Sequence, residues 1–304
     1  MFVIQFDKNS LLGGLGDRIV GIISIKLISD LLNRDFFILW NKENIENYFT
    51  FKSYDNDNDN DNDNDIKYHN YIDNQKGLKK YLIETNELFP NKVNIFRLNQ
   101  EISQYLYLNK NISGNYLNDI FETYRKLYID ILKPTDFFKT KVNDLIENKS
   151  NIVGIQVRCG DYYMKTNPDE THKTNNNVDF LKIKTICQQK FNNNYTIFFT
   201  TDNISLLKEL YSVFEKEQIV YNDDEIQHLD RKSINEDISK SFIDNYILSQ
   251  HTVLLFISEN SNFGRVAALS SSIDSIYSSN NCKLINKKDI LSKREMLSKR
   301  EMLF

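Results

Sequence analysis

Between residues 150 and 280, short apolar runs alternate with longer amphipathic stretches, which restricts the chain to an α/β fold with a parallel sheet. The expected strands are Ile152–Arg158, Thr196–Thr200, Ile219–Tyr221, Val253–Ile257 and Ser275–Tyr277. The expected helices are about 178–191, 204–216, 234–250 and 262–271. Strands separated in this way pair in parallel, with helices covering both faces of the sheet.

The opening follows the same grammar. Phe2–Phe6 reads as a strand, Asp17 to about Leu32 as a helix with apolar residues near a 3.6 period, and Phe36–Trp40 as a second strand. Further helices are expected over 78–86, 115–132 and 136–147, with Pro134 ending the second of these. A chain of 304 residues that is 40% hydrophobic can fill two cores. The expected boundary therefore falls at Pro134, giving domains 1–134 and 135–282 and a tail 283–304. The tail repeats the hexapeptide LSKREM at 291–296 and 297–302, read as a duplication extending a surface helix. The Asp-Asn alternation from Asp55 to Asp65 has nothing to bury and is expected to be a disordered loop.

Bulk properties exclude several classes. A net charge of −4 implies no broad basic field, so nucleic acid is not the expected partner. Three cysteines without a CxxC spacing argue against a disulfide framework or a zinc site, and four scattered histidines show no ligand spacing. No leader-like segment precedes Phe2, and no apolar stretch approaches the roughly 20 residues that span a bilayer. The expectation is a cytoplasmic protein with no membrane span. The Asn-, Ile- and Lys-rich composition is that of an AT-rich coding sequence, as in a large DNA virus or a protist.

Four segments can carry chemistry. Gly13-Gly14-Leu15-Gly16-Asp17 joins the first strand to the first helix, where glycines let a ligand approach backbone N–H groups. It is neither a P-loop nor a dinucleotide fingerprint, and it also reads simply as a tight βα turn. Gln156-Val157-Arg158-Cys159-Gly160-Asp161 ends an apolar strand in a guanidinium that can fork onto a phosphate, or can pair with Asp161 to close the strand. Asp202 follows the next strand, as a base- or ribose-reading carboxylate or as a helix N-cap. Ser258 to Ala267 brings Ser261, Asn260, Asn262 and Arg265 to a helix N-terminus, a ready anion site or ordinary capping.

The order of these segments resembles the GDP-fucose-dependent fucosyltransferase superfamily, which includes α1,2-, α1,6- and protein O-fucosyltransferases. The resemblance covers the glycine turn and most of 150–270, with about 50–115 unmatched. It implies a GT-B fold, two Rossmann-like domains with parallel sheets facing a cleft, and an inverting, metal-independent transfer of fucose from GDP-fucose to a glycan hydroxyl. It implies no bound cofactor. Arg158 inherits the contact to the β-phosphate, Asp202 the reading of guanine, and Ser261 a phosphate contact with Asn260 and Asn262 beside it. Arg265 matches the helix Arg that follows, and Gly14, Gly16 and Asp17 match the turn at the sugar end. Gln156 and Cys159 depart from the family's His and second Arg. Asp161 and Asp17 are the leading candidates for general base, with Asp169 and Glu170 behind them. The competing readings are the same fold with another nucleotide-sugar donor, and a non-catalytic nucleotide- or glycan-binding relative.

Overall fold

In the computed structural model the described residues are 1–6, 13–40, 45–53, 69–72, 80, 89, 93–109, 114–160, 178–224 and 239–291. The Asp-Asn run, all but Lys80 of the expected helix 78–86, and the hexapeptide repeat beyond Leu291 lie outside them. The described residues of Met1–Phe138 form one compact unit, and those of Lys139–Gln227 and Ser239–Phe304 form another.

In the first unit, β1 (Phe2–Phe6) leads through α1 (Leu15–Leu31) to β2 (Phe36–Trp40). After β3 (Phe49–Thr50) come β4 (His69–Ile72) and β5 (Val93–Phe96), then α2 (Ser103–Asn109) and α3 (Tyr116–Arg125). The sheet runs β2-β1-β5-β4, all parallel. α1 is buried over most of its length because Ile19, Ile22, Ile23 and Leu27 pack inward. Gly21 lies so close to the Leu98 carbonyl that a Cβ would sit 2.3 Å from it. The single helix expected over 115–132 is in fact α3 followed by a π-helical turn, Leu127–Ile131. β6 (Lys133–Pro134) then pairs antiparallel with β3. Pro134 stands in this edge strand, where its missing N–H costs no ladder bond.

The second unit begins with α4 (Asp136–Ile146), whose first turn belongs to the first unit, and continues with β7 (Ile152–Val157), α5 (Phe180–Phe191) and β8 (Thr196–Thr201). α6 (Leu206–Val213), β9 (Ile219–Tyr221), α7 (Ser239–Gln250), β10 (Leu254–Ile257), α8 (Asn262–Ser270), β11 (Ile276–Ser278) and β12 (Leu284–Ile285) follow. The sheet order is β12-β11-β10-β7-β8-β9, parallel except for β12. Counted from β7, this is the 3-2-1-4-5-6 order of the Rossmann fold. β7, β8 and β10 are buried at every position, as strands sandwiched between helix layers must be. Val153, Ile155 and Val157 share a core with Phe180, Ile183 and Cys187 of α5 and with Leu206 and Leu210 of α6. The alternate positions face α7 and α8. There Gly154 leaves room for Leu248, Leu255 and Thr252, each within 3 Å of where a Cβ would be.

The α/β class with parallel sheets is as expected from the sequence. Among the described residues, no helix is long and apolar enough to cross a membrane.

Candidate functional site

Register decides which side chains meet. Gln156 pairs with Thr200 and Val157 with Thr201, so β7 and β8 end level. Ser258 N–H donates to the Gln156 carbonyl at 3.1 Å, which brings the end of β10 to the same height. Arg158, Asp202 and Ser258 therefore leave three adjacent strands side by side. β7 and β10 flank the point where the strand order reverses, the crevice in which open α/β sheets take ligands.

The Asp202 carboxylate organises this edge. It accepts from Cys159 N at 2.6 Å and Gly160 N at 2.9 Å, and pairs with Arg158 Nη1 at 3.1 Å. The carboxylate is sealed, while the Arg158 side chain keeps 30% exposure. Burial pushes the Asp202 carboxyl upward, against the Cys159 N–H, the Arg158 charge and the Gly160 N–H, which favour the anion. The turn that delivers both N–H groups needs Gly160, which has φ +106 with open space around it. Arg158 N–H donates to Ser258 Oγ at 2.9 Å, and Ser258 Oγ lies 3.2 Å from Ser279 Oγ.

The α8 end is equally ordered. Ser261 is the N-cap, accepting from Gly264 N at 3.4 Å. Arg265 is buried, and its Nε donates to the Glu259 carbonyl at 2.7 Å, closing the 258–261 loop from the helix side. Asn260 is exposed and Asn262 half-buried beside Ser261. Arg158, Asp202, Ser261 and Arg265 thus belong to one bonded network. Asp202 does not cap the following helix. Asn203 Oδ1 takes the Ser205 N–H instead, at 3.1 Å. The Cys159 side chain is buried in the core with Phe180 and Cys187, while its N–H serves Asp202. Asp161, Asp169 and Glu170 lie outside the described residues.

Gly14, Gly16 and Asp17 belong to the first unit. Gly13 has φ +75, Gly14 is the N-cap of α1, and Asp17 Oδ2 accepts the Gly14 N–H at 3.1 Å. Arg18, which follows Asp17 in this turn, is 1% exposed. Its guanidinium lies over the Phe6 and Trp40 rings, and its Nε donates to the Gly13 carbonyl at 3.4 Å. A second polar cluster carries no signal in the sequence. Asp244 accepts from Thr200 Oγ1 at 2.7 Å and Asn222 Nδ2 at 3.2 Å, with Lys240 Nζ 3.4 Å away and over the Tyr221 ring. Lys240 and Asp244 share one turn of α7, but Thr200 and Asn222 come from separate strand ends, and no local spacing announces that they meet this pair.

A Rossmann-type unit with an Arg, a buried Asp and a serine-capped helix at its switch point belongs to the class of folds that take nucleotides at this edge. No protein-family model matches the chain, and no characterised protein matches it in sequence. Solved structures do match. One is a variant of Arabidopsis thaliana FUT1 in complex with GDP, with TM-score 0.60 and 16% identity, covering 93% of this chain and 71% of that one. Another is NodZ, an alpha-1,6-fucosyltransferase soaked with GDP-fucose, with TM-score 0.53 and 14% identity, covering 94% of this chain and 98% of that one. The chain shares the fold of these solved structures.

Proposed function

We propose that the protein is an inverting glycosyltransferase that transfers fucose from GDP-fucose to a glycan hydroxyl. The observation that carries this reading is the convergence of Arg158, Asp202 and the Ser261 cap at the switch point of one parallel sheet. In this reading residues 135–282 hold the donor and residues 1–134 serve the acceptor, with Gly14, Gly16 and Asp17 at the sugar end. The acceptor oxygen forms a bond to the anomeric carbon as the carbon–phosphate-oxygen bond breaks. The electron pair leaves with the diphosphate, and the acceptor proton passes to a carboxylate, for which Asp17 and Asp161 are the candidates. Arg158 and the α8 N-terminus stabilise the charge that builds on the leaving group.

Thermal unfolding with millimolar GDP tests the reading: a ligand that binds only the folded chain raises Tm. Arg158→Ala is expected to abolish most of that rise and to lower kcat about 10²–10³-fold, by analogy with removal of one oxyanion donor. Unchanged Tm with GDP and with GDP-fucose would sink the proposal.

A different nucleotide sugar is the second reading. It is favoured by the engagement of both Asp202 oxygens by Cys159, Gly160 and Arg158, because Asp202 is the residue matched to guanine reading. A panel of donors in a hydrolysis assay separates the two, and preference for a uridine-diphosphate sugar would retire guanine.

A further inference from the structure

Gln156 is a primary amide in an otherwise apolar strand core, 4% exposed. A buried amide is costly unless both of its ends are bonded. Here Oε1 accepts from Ser258 N at 3.0 Å and Nε2 donates to Ser261 Oγ at 3.2 Å. The fit is close: a Cβ on Gly264 would lie 2.4 Å from Oε1, so glycine at that helix position makes room for the amide.

The consequence falls on Ser261. A serine hydroxyl has two acceptor positions and one proton. Both acceptor positions are taken, one by Gln156 Nε2 and the other by the Gly264 N–H at 3.4 Å. The proton is therefore left to donate, directed away from both, and it reaches no acceptor among the described residues. The same amide holds Ser258, whose Oγ accepts the Arg158 N–H.

We infer that Gln156 is a positioning residue for the donor diphosphate: it saturates the Ser261 oxygen so that this hydroxyl acts only as a donor to phosphate, and it fixes the loop on which Arg158 is anchored. The inference rests on the nucleotide-sugar reading above and assigns to Gln156 a role that its burial conceals.

Gln156→Glu, Ser261→Ala and the double variant test it, with GDP affinity read by calorimetry across pH. An ionised carboxylate at 156 still accepts from Ser258 but draws the Ser261 proton inward. Gln156→Glu is expected to weaken GDP at least about ten-fold at high pH, the scale of one hydrogen bond to a charged group. Relative to wild type, that loss should shrink on acidification, as a protonated carboxyl again supplies a donor. In the Ser261→Ala background, where no proton remains to redirect, Gln156→Glu should show a much smaller effect. A loss that is flat in pH and undiminished in that background overturns the inference, as does wild-type affinity in Gln156→Glu. Ser261→Ala leaves Gln156 in place and must itself weaken GDP about ten-fold. Unchanged binding there overturns the inference even if Gln156→Glu does not fold. A wild-type protein that binds no GDP removes the function reading itself, an outcome distinct from wild-type binding with indifferent variants.

Discussion

Burial pushes the Asp202 carboxyl up, and two backbone N–H groups and a guanidinium converge on it to oppose that rise. Replacement by Asn keeps the shape but turns an acceptor into a donor facing other donors. Asp202→Asn is expected to cost about 1–3 kcal/mol, the price of leaving buried polar groups unsatisfied. Chemical denaturation measures that loss as a shift in midpoint at constant m. The same substitution should weaken GDP, since the Arg158 fork loses the partner that orients it. An Asp202→Asn protein with wild-type midpoint and GDP affinity would mean that the carboxylate is incidental. Arg158, Asp202 and Ser261 were all legible as candidate residues, since each follows a strand and has suitable chemistry. The pairing of Arg158 with Asp202 was not, because the parallel register brings the two together across the sheet from distant points of the chain.

At the level of elements, β8, β9 and α7 are joined by a buried polar knot. Lys240 and Asp244 are one helical turn apart on α7 and both are sealed from solvent. Burial pushes the Asp244 carboxyl up, while Lys240 and the hydrogen bonds from Thr200 and Asn222 hold it down. Lys240 also donates to the Asn222 carbonyl just beyond β9. Removing one member of such a pair strands the other charge. Lys240→Met is expected to destabilise by about 3–5 kcal/mol, and adding Asp244→Asn should recover part of that loss. Urea unfolding of the single and double variants checks it, and a double variant less stable than the single one contradicts it. The knot ties α7 to the strand whose next turn carries Asp202. The sequence showed α7 as a helix and β8 as a strand. It could not show that Thr200 faces Asp244, because that depends on which face of β8 the helix covers.

For the molecule as a whole, acid stability carries a signature of His251, at the end of α7 with its ring 5.4 Å from that of Tyr246. Burial lowers its pKa below the ordinary 6.5. The unfolded chain takes up a proton near 6.5, whereas the folded chain stays neutral until a lower pH. Its contribution is therefore present above 6.5 and is lost as pH falls through the lowered folded value. Tm measured from pH 8 downward should fall more steeply in wild type than in His251→Gln, and parallel curves would refute this. The residue lines a surface hollow with Ile146, Glu147, Asn151 and Val253, at the edge of the sheet opposite the Arg158 network. Sequence spacing excluded it as a metal ligand but gave no sign of its burial.

The sequence by itself determined the α/β class, the positions of the main strands and helices, and the chemical candidates at the strand ends. These depend on local periodicity and on the residue types that terminate a strand. Only the tertiary structure decided that Asp202 clamps the Arg158 turn, that Cys159 faces the core, that Ser261 is the cap, and that Gln156 joins β7 to α8. The Asp202 clamp and the Gln156 link are set by strand order and register, which juxtapose residues 43 and 105 positions apart. A parallel sheet brings such residues together through crossovers, and nothing local in the chain records the pairing.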